Sequence, residues 1–169
     1  REFGPDHPNT SAMLGYLGRL HHAQGRYAEA GPLYKRQLTI WQNTIGPEHP
    51  NIAKTLSDLA MLYRAQGRYA EAEPLAKRAL AISEKFLGSD HPNVAIGLGN
   101  LAGLYYAQGR LPEALNHIRR ATAIQRSRAK AGAGKSASGA LSEQKEKRPY
   151  FALHVDIAFQ VAAEDPPQE

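Results

Sequence analysis

The sequence contains no cysteine, a single tryptophan and two methionines among its 169 residues. The absence of cysteine excludes disulfides, thiolate nucleophiles and cysteine-ligated zinc from this segment. Its apolar runs are too short and too often interrupted to span a bilayer, and the first residues lack the apolar core of a signal peptide. We therefore expect a soluble, cytoplasmic chain that does not enter a membrane.

Positive charge exceeds negative charge, with 21 Lys and Arg against 16 Asp and Glu, and the whole excess falls in residues 1–126. Such an excess suits any acidic partner, including nucleic acid or acidic lipid, but most charges of this kind are simply solvated. The charge balance therefore predicts no specific nucleic-acid binding and no membrane binding.

The main signal is an internal repeat of 42 residues. The loop Gly46-Pro-Glu-His-Pro-Asn51 recurs 42 residues earlier and 42 residues later, and fifteen of the 42 columns are identical in all three rows. The rows cover residues 4–45, 46–87 and 88–129. A period of a few tens of residues indicates an array in which one supersecondary unit stacks on copies of itself.

Each row contains two stretches with apolar residues spaced by three and four, the pattern of an amphipathic helix. In the second row, helix A is predicted between His49-Pro50 and Gly67, because proline suits a first helical turn and glycine suits the position just past a helix end. Helix B is predicted from Tyr69 to about Phe86. Only Gly67-Arg68 separates the two helices, so they must lie antiparallel.

This arrangement resembles the tetratricopeptide repeat, and the 42-residue period with its Gly-x-Asp/Glu-His-Pro-Asn loop is similar to the kinesin-light-chain variant and its bacterial relatives. The resemblance implies an all-α fold, a right-handed α-solenoid of three helix pairs over residues 1–128. It also implies protein–protein interaction, with no catalysis and no cofactor. The characteristic small and large positions of the repeat fall in the second row on Leu56, Leu59, Ala60, Tyr63, Ala72, Ala76 and Ala79.

The first row departs from the second at three positions in helix B. It carries Gly31, Gln37 and Trp41 where the second row has glutamate, alanine and serine. The repeat pattern therefore does not predict the local packing at these three positions.

The resemblance places helix A of each repeat on the inner, concave wall, where a ligand binds. The groove-facing positions vary between rows while the neighbouring leucine columns do not, as expected for a constant scaffold with a variable surface. These positions are Tyr16, Arg19 and His22 in row one, Lys54, Ser57, Asp58, Met61 and Arg64 in row two, and Asn100, Gly103 and Tyr106 in row three.

Asn100 is the most specific of the groove residues, since an asparagine at this position of kinesin-light-chain-like repeats can bind the main chain of an extended peptide. An amide offers both a donor and an acceptor to a peptide unit. Rows one and two have Tyr16 and Asp58 at the position of Asn100, so the chain lacks a continuous row of asparagines. Basic side chains such as Arg19 and Arg64 instead suggest an acidic or C-terminal carboxylate ligand, with the aromatic residues and Met61 supplying apolar contact.

Several recurring residues invite a chemical role but are better explained as structure. His7, His49 and His91 recur too far apart to converge on one metal ion, so they are predicted to be loop residues that help to cap helix A or pack under the preceding repeat. Arginine and glutamate three residues apart predict an ion pair at the start of each helix B. A basic ridge on helix B is predicted to be a solvated convex face; it comprises Lys35-Arg36, Lys77-Arg78 and Arg119-Arg120.

The end of the chain changes in composition. Residues 129–148 are rich in small and charged residues and are predicted to form a flexible linker. The run Gly132-Ala-Gly-Lys-Ser136 is similar to part of a phosphate-binding loop, but no strand precedes it. Residues 149–169 are predicted to form a capping helix and tail, because a solenoid end needs a cap. A strand is the alternative, since Phe151 to Val161 is apolar at every second residue.

Three possibilities remain for the wider context. Arg1 to Gly4 aligns with Lys85 to Gly88 after a shift of one residue, which predicts a fragment of a longer, bacterial array, although a vector-derived start would look similar. The chain is then a binding scaffold, or a regulatory arm for an effector domain elsewhere in the parent protein. Self-association through the ends of the array is the third possibility.

Overall fold

The computed structural model of the chain describes residue 4 and residues 6–132. In that range the chain forms six α-helices and no strand. It divides into two compact units, Arg1–Phe86 and Leu87–Glu169, which we call unit 1 and unit 2. Unit 1 contains helices α1 to α4 and unit 2 contains α5 and α6. The helices are α1 (Pro8–Ala23), α2 (Tyr27–Ile45), α3 (Pro50–Ala65), α4 (Tyr69–Leu87), α5 (Pro92–Ala107) and α6 (Leu111–Gly132).

The three helices of type A, which are α1, α3 and α5, begin in the same way. The histidine before the proline is the N-cap, and its Nδ1 accepts a hydrogen bond of 3.1 Å from the main-chain N–H two residues later. This bond satisfies one of the N–H groups that a helix start leaves without a partner. The prediction that His7, His49 and His91 cap helix A is confirmed.

The turn between helices A and B is set by a glycine in the left-handed conformation. In unit 1, Gly67 has φ of 72° and follows the last turn of α3. The N–H of Arg68 donates to the carbonyl of Tyr63 at 2.8 Å, and the N–H of Gly67 donates to that of Arg64 at 3.0 Å. This is a Schellman motif, which satisfies the last carbonyls of the helix and reverses the chain within two residues.

The first hairpin packs closely at two glycines of α1. A β-carbon built at Gly15 would lie 2.3 Å from Nε2 of Gln37, and one built at Gly18 would lie 2.7 Å from Cε1 of Tyr34. The second row instead has serine and alanine on helix A facing alanines on helix B. Small residues on one helix thus compensate for large residues on the other.

Trp41 and its neighbours form the core between α2, α3 and α4. The cluster of buried residues consists of Trp41, Ile52, Ala53, Leu56, Ala79 and Ile82, with Leu38, Ile45 and Leu75 packed against it. Trp41 occupies the position where row two has Ser83, which is half-buried.

Unit 2 is a hairpin of α5 and α6. The leucines of α5 at 98, 101 and 104 are buried, and so are Ala114 and Ile118 of α6. The ring of Tyr105 meets that of His117 edge-on, with centroids 5.2 Å apart. The apolar columns predicted for helices A and B therefore form the core of this hairpin.

The predicted linker at 129–148 overlaps the described residues only in the last turn of α6, which extends to Gly132. The predicted capping helix at 149–169 and the glycine-rich run beyond Gly132 lie outside them. Within the described range, no helix combines the length and apolar character needed to cross a membrane.

Candidate functional site

The eleven residues predicted to face the ligand all lie on helices α1, α3 and α5, and none of them is buried. Tyr16 and Lys54 are exposed and the others are half-buried. In unit 1 the predicted residues of α1 and α3 meet in one cluster, whose centre is an ion pair that sequence reasoning did not anticipate.

Arg19 on α1 donates a hydrogen bond of 3.1 Å from Nη1 to Oδ2 of Asp58 on α3. The arginine side chain is 33% exposed and the carboxylate 17% exposed, so the pair is only partly screened by water. The pair joins α1 and α3, two neighbouring helices of type A, on the faces that do not contribute to the core. The two residues are 39 positions apart, which is one repeat less three residues, and no local pattern in either helix signals the pair.

The carboxylate of Asp58 is placed at an electrostatic cost. Burial raises the pKa of Asp58 above its usual range, and the raising effect of burial exceeds the lowering effects of its hydrogen bond to Arg19 and of the nearby positive charges. Lys54 and His22 are the other positive groups that act on it. The cluster therefore has one acidic centre surrounded by basic side chains.

The hydroxyl of Tyr34 lies behind this ion pair. Its ring is fully buried against Gly18, and its hydroxyl oxygen has no hydrogen-bond partner among the described residues. Burial raises the pKa of Tyr34 well above its ordinary value, and the negative charge of Asp58 adds to that shift. Sequence reasoning missed this residue because tyrosine in row one replaces alanine and isoleucine in the other rows.

Tyr16 extends the cluster with an apolar surface. Its ring is 65% exposed, and the guanidinium carbon of Arg19 lies 4.8 Å from the ring centroid. Stacking of this kind orients the arginine while leaving the other ring face open. An aromatic face next to a charge is a common feature of protein-binding surfaces.

The remaining predicted residues surround the cluster or lie in unit 2. Ser57, Met61 and Arg64 are half-buried on α3, and the ring of His22 meets that of Tyr27 edge-on with centroids 5.6 Å apart. In unit 2, Asn100, Gly103 and Tyr106 are half-buried on α5.

The predicted ion pairs at the start of helix B form in two rows. Arg68 binds Glu71 through two hydrogen bonds, from Nε at 2.7 Å and from Nη2 at 2.6 Å, and its guanidinium lies 4.2 Å from the ring centroid of Tyr63. Arg110 likewise pairs with Glu113 and stacks on Tyr105. Row one has a histidine at the stacking position, and no such pair joins its arginine and glutamate in the described part of the chain.

Part of the basic ridge on helix B is used in contacts within unit 1. Lys77 pairs with Glu73 at 2.7 Å, and Arg78 donates to the carbonyl of Pro47 at 3.3 Å. Lys85, farther along α4, pairs with Glu48 at 3.0 Å. These contacts place some of the positive charge of α4 in structural roles.

Comparison with known families decides the identity of the repeats. A family model described as a tetratricopeptide repeat matches residues 10–85 and, shifted by 42 residues, matches again at residues 52–127. The chain belongs to the tetratricopeptide-repeat family. No curated protein sequence matches this tetratricopeptide-repeat chain.

Solved structures share the fold. BtubC (BKLC) from P. vanneervenii superposes on 100% of this chain and 69% of its own, with a TM-score of 0.67 at 22% identity. A putative kinesin light chain of Podosopora anserina, with nearly identical TPR-like repeats, matches 96% of this chain and 79% of its own at TM-score 0.67 and 27% identity. The Sgt2 TPR domain from Aspergillus fumigatus matches 95% of this chain and 87% of its own at TM-score 0.59 and 20% identity.

These similarities establish the repeats as tetratricopeptide repeats of the kinesin-light-chain type and the fold as an all-α helical-repeat solenoid, as the sequence predicted. Tetratricopeptide repeats generally mediate protein–protein interaction. The tetratricopeptide-repeat fold is typical of scaffold proteins.

Proposed function

We propose that the chain binds a segment of a protein partner on the surface formed by α1 and α3, and that the preferred segment combines an acidic group with an apolar side chain. The single observation that carries the proposal is the Arg19–Asp58 pair with its surroundings. Half-buried charges on an open helix face are costly to maintain, and a ligand that replaces the lost water with hydrogen bonds offsets that cost.

The charge of the cluster favours an acidic segment. Three basic side chains, those of Arg19, Lys54 and His22, act on the single carboxylate of Asp58. Arg64 lies on the same helix as Asp58 and adds a further positive charge. A ligand carboxylate can accept a hydrogen bond from a guanidinium N–H that Asp58 leaves unused, because arginine has five N–H donors.

The apolar part of the ligand is assigned to Tyr16 and Met61. Tyr16 is exposed beside Arg19, and Met61 is half-buried on α3. Methionine adapts its shape to irregular partners, which suits a surface that accepts a peptide side chain. Asn100 and Tyr106 in unit 2 stay predictions for contacts with the same partner.

The proposal assigns a binding role without catalysis. In the described residues, the recurring histidines have a structural role, since each of them caps a helix A, and Glu71 and Glu113 pair with Arg68 and Arg110. Among the described residues, Asp58 is hydrogen-bonded to Arg19, and the other charged groups that act on it are Lys54 and His22.

A peptide array tests this function. Acidic-apolar peptides are incubated with the wild-type chain, with a Lys54→Glu variant and with an Arg36→Glu variant, which makes the same change of charge on the exposed face of α2. The proposal predicts that Lys54→Glu loses binding while Arg36→Glu retains it, and that binding weakens as salt is added. Binding that survives both Lys54→Glu and the pair Arg64→Glu with Asn100→Ala, in a folded chain, would show that the surface is wrongly assigned.

A further inference from the structure

A small cavity lies between α2 and the end of α3 in unit 1. It measures about 160 Å³, and none of the residues that line it belongs to the cluster around Asp58. Gly31 and Leu62 line the cavity and are buried, whereas Lys35 and Arg68 line it and are exposed. The cavity therefore has an uncharged floor and a mouth that carries positive charge.

Packing does not explain the glycine in this cavity. A glycine inside a helix lowers stability relative to alanine, and at Gly15 and Gly18 the close contacts with α2 require it. At Gly31, a β-carbon would meet only Leu62 among the described residues, at the ordinary contact distance of 3.5 Å. A larger residue would fit there, and the glycine instead keeps the cavity open.

The next repeat has a carboxylate at the position of this glycine. Nine residues line the cavity, and eight of them are identical 42 positions later, so that Lys35 recurs as Lys77. The exception is Gly31, whose counterpart is Glu73. On α4, Oε1 of Glu73 lies 2.7 Å from Nζ of Lys77, and the glutamate side chain is 20% exposed. Row two therefore supplies, from its own helix, a half-buried carboxylate that row one lacks.

The polar groups at the cavity include donors that a carboxylate needs. Lys35 forms no ion pair within the described part of the chain. Arg68 is bound by Glu71 through Nε and Nη2, and its Nη1 donates to Oε1 of Gln66 at 3.1 Å. This bond occupies the oxygen of the Gln66 amide and leaves its NH₂ group as the donor. Lys35 is therefore the main charge for a ligand, and Gln66 adds a second donor.

The charge and the size of the cavity favour one acidic side chain. Hydrogen bonds from Arg68 hold the pKa of Glu71 below its ordinary value, and the charge of Lys35 lowers that pKa further. The cavity thus lies in surroundings that favour an ionised acid. Its volume of about 160 Å³ is smaller than the roughly 300–1,000 Å³ of sites for drug-sized ligands, so it suits a single side chain.

From these observations we propose that the cavity binds the side chain of a glutamate from a partner protein, whose carboxylate accepts hydrogen bonds from Lys35 and from the amide of Gln66. The partner's glutamate takes the position beside Lys35 that Glu73 has beside Lys77 in row two. The cavity is then a second contact site on unit 1, separate from the surface formed by α1 and α3.

Nuclear magnetic resonance of the ¹⁵N-labelled chain tests this site, with acetyl-Ala-Glu-Ala-amide as the probe. The amide signals of Gly31 and Gly67 report on the cavity, and that of Gly109 in unit 2 is the reference. Saturable shifts are expected at Gly31 and Gly67 but not at Gly109. The same peptide with glutamine in place of glutamate is expected to bind at least about threefold more weakly, because it loses the attraction between opposite charges.

Two pairs of variants locate the binding, with the signal of Gly67 as the readout. Lys35→Gln is expected to weaken binding at least about threefold. Arg36→Gln removes the same charge from the next residue of α2, which does not line the cavity, and is expected to leave binding unchanged. Gly31→Glu places an internal carboxylate in the cavity and is expected to abolish the shift. Gly31→Ala adds a single methyl group and is expected to retain binding.

Four outcomes would overturn the proposal. The first is a folded wild-type chain without a saturable shift at Gly31, and the second is equal binding of the glutamate and glutamine peptides. The third is an equal loss with Lys35→Gln and Arg36→Gln, which would show only a general effect of charge. The fourth comes from a parallel titration with sodium acetate: acetate that binds as tightly as the peptide would show a site for small anions in place of a partner's side chain.

Discussion

The ring of Tyr34 packs directly on the backbone of Gly18, where a β-carbon would lie 2.7 Å from Cε1 and 2.9 Å from Cδ1 of the ring. Tyr34 is fully buried, so the ring has little space to move away. The tyrosine hydroxyl in turn lies close enough to Asp58 and Arg19 to respond to their charges. The close approach of α1 and α2 thus supports the cluster that we assign to ligand binding.

The first prediction concerns the close packing of α1 on α2 at Gly18. Gly18→Ala is expected to lower the free energy of unfolding by about 1–3 kcal/mol, because overpacking against a buried ring outweighs the gain in helix propensity. Gly31→Ala is the matched control: its new β-carbon meets only Leu62 at 3.5 Å, an ordinary contact. That control is expected to stabilise the chain by about 0.5–1 kcal/mol.

Urea unfolding followed by circular dichroism measures both variants. Combining Gly18→Ala with Tyr34→Ala reproduces the alanine pair of row two and is expected to cost less than the sum of the single changes. Equal stabilisation by Gly18→Ala and Gly31→Ala would contradict the close packing.

The second prediction concerns the ion pair. Arg19→Ala leaves the carboxylate of Asp58, only 17% exposed, without its hydrogen-bond donor, and is expected to cost about 1–3 kcal/mol. Asp58→Asn added to Arg19→Ala removes the unpaired charge and is expected to recover part of that loss. A double variant as unstable as the sum of its parts would argue against coupling between the two residues.

The third prediction follows from the raised pKa of Asp58. The folded chain binds a proton at Asp58 more tightly than the unfolded chain, whose aspartate titrates near the ordinary value of 3.8. The stabilisation that comes from this tighter proton binding is fully present below the unfolded pKa of 3.8. It is lost as the pH rises through the higher pKa of Asp58 in the folded chain. Asp58→Asn does not titrate, so its stability relative to wild type should rise as the pH increases from 3.8 towards neutrality. Thermal unfolding over a pH series checks this, and a relative stability that falls in this window would contradict it.

How far the sequence predicts the structure depends on whether a feature repeats. The helix bounds could be predicted because the residues that begin and end helix A recur in all three rows. In row two, His49 and Pro50 mark the start of the helix and Gly67 marks its end. The groove residues were predicted from the family pattern, and their role in binding stays a prediction. The Arg19–Asp58 pair could not be read off the sequence in the same way, because it depends on the offset between two neighbouring helices.

Among the departures in row one, Gln37 was noticed but not interpreted, and Tyr34 was missed. Gln37 and Tyr34 are accommodated by Gly15 and Gly18 on the facing helix, and this compensation shows only when the two helices are brought together. The residues on one helix carry no local signal for the size of the residues on the other.

The fourth prediction tests the histidine cap. His49→Ala removes the acceptor for the N–H of Asn51 and is expected to cost about 0.5–2 kcal/mol. His49→Asp supplies another side-chain acceptor and should retain most of the stability. Unfolding midpoints of the two variants decide this, and an alanine variant as stable as the wild type would show that the cap contributes nothing.

Photo-crosslinking tests the central claim most directly, because it reports which face of the repeats touches the partner. A photoreactive phenylalanine analogue is placed in turn at Tyr16, at Met61 and, as the control, at the exposed Arg36 on α2. Each chain is irradiated with the tightest-binding acidic-apolar peptide from the array. The account predicts adducts from the first two positions and none from the third. Adducts from Arg36 alone would contradict it.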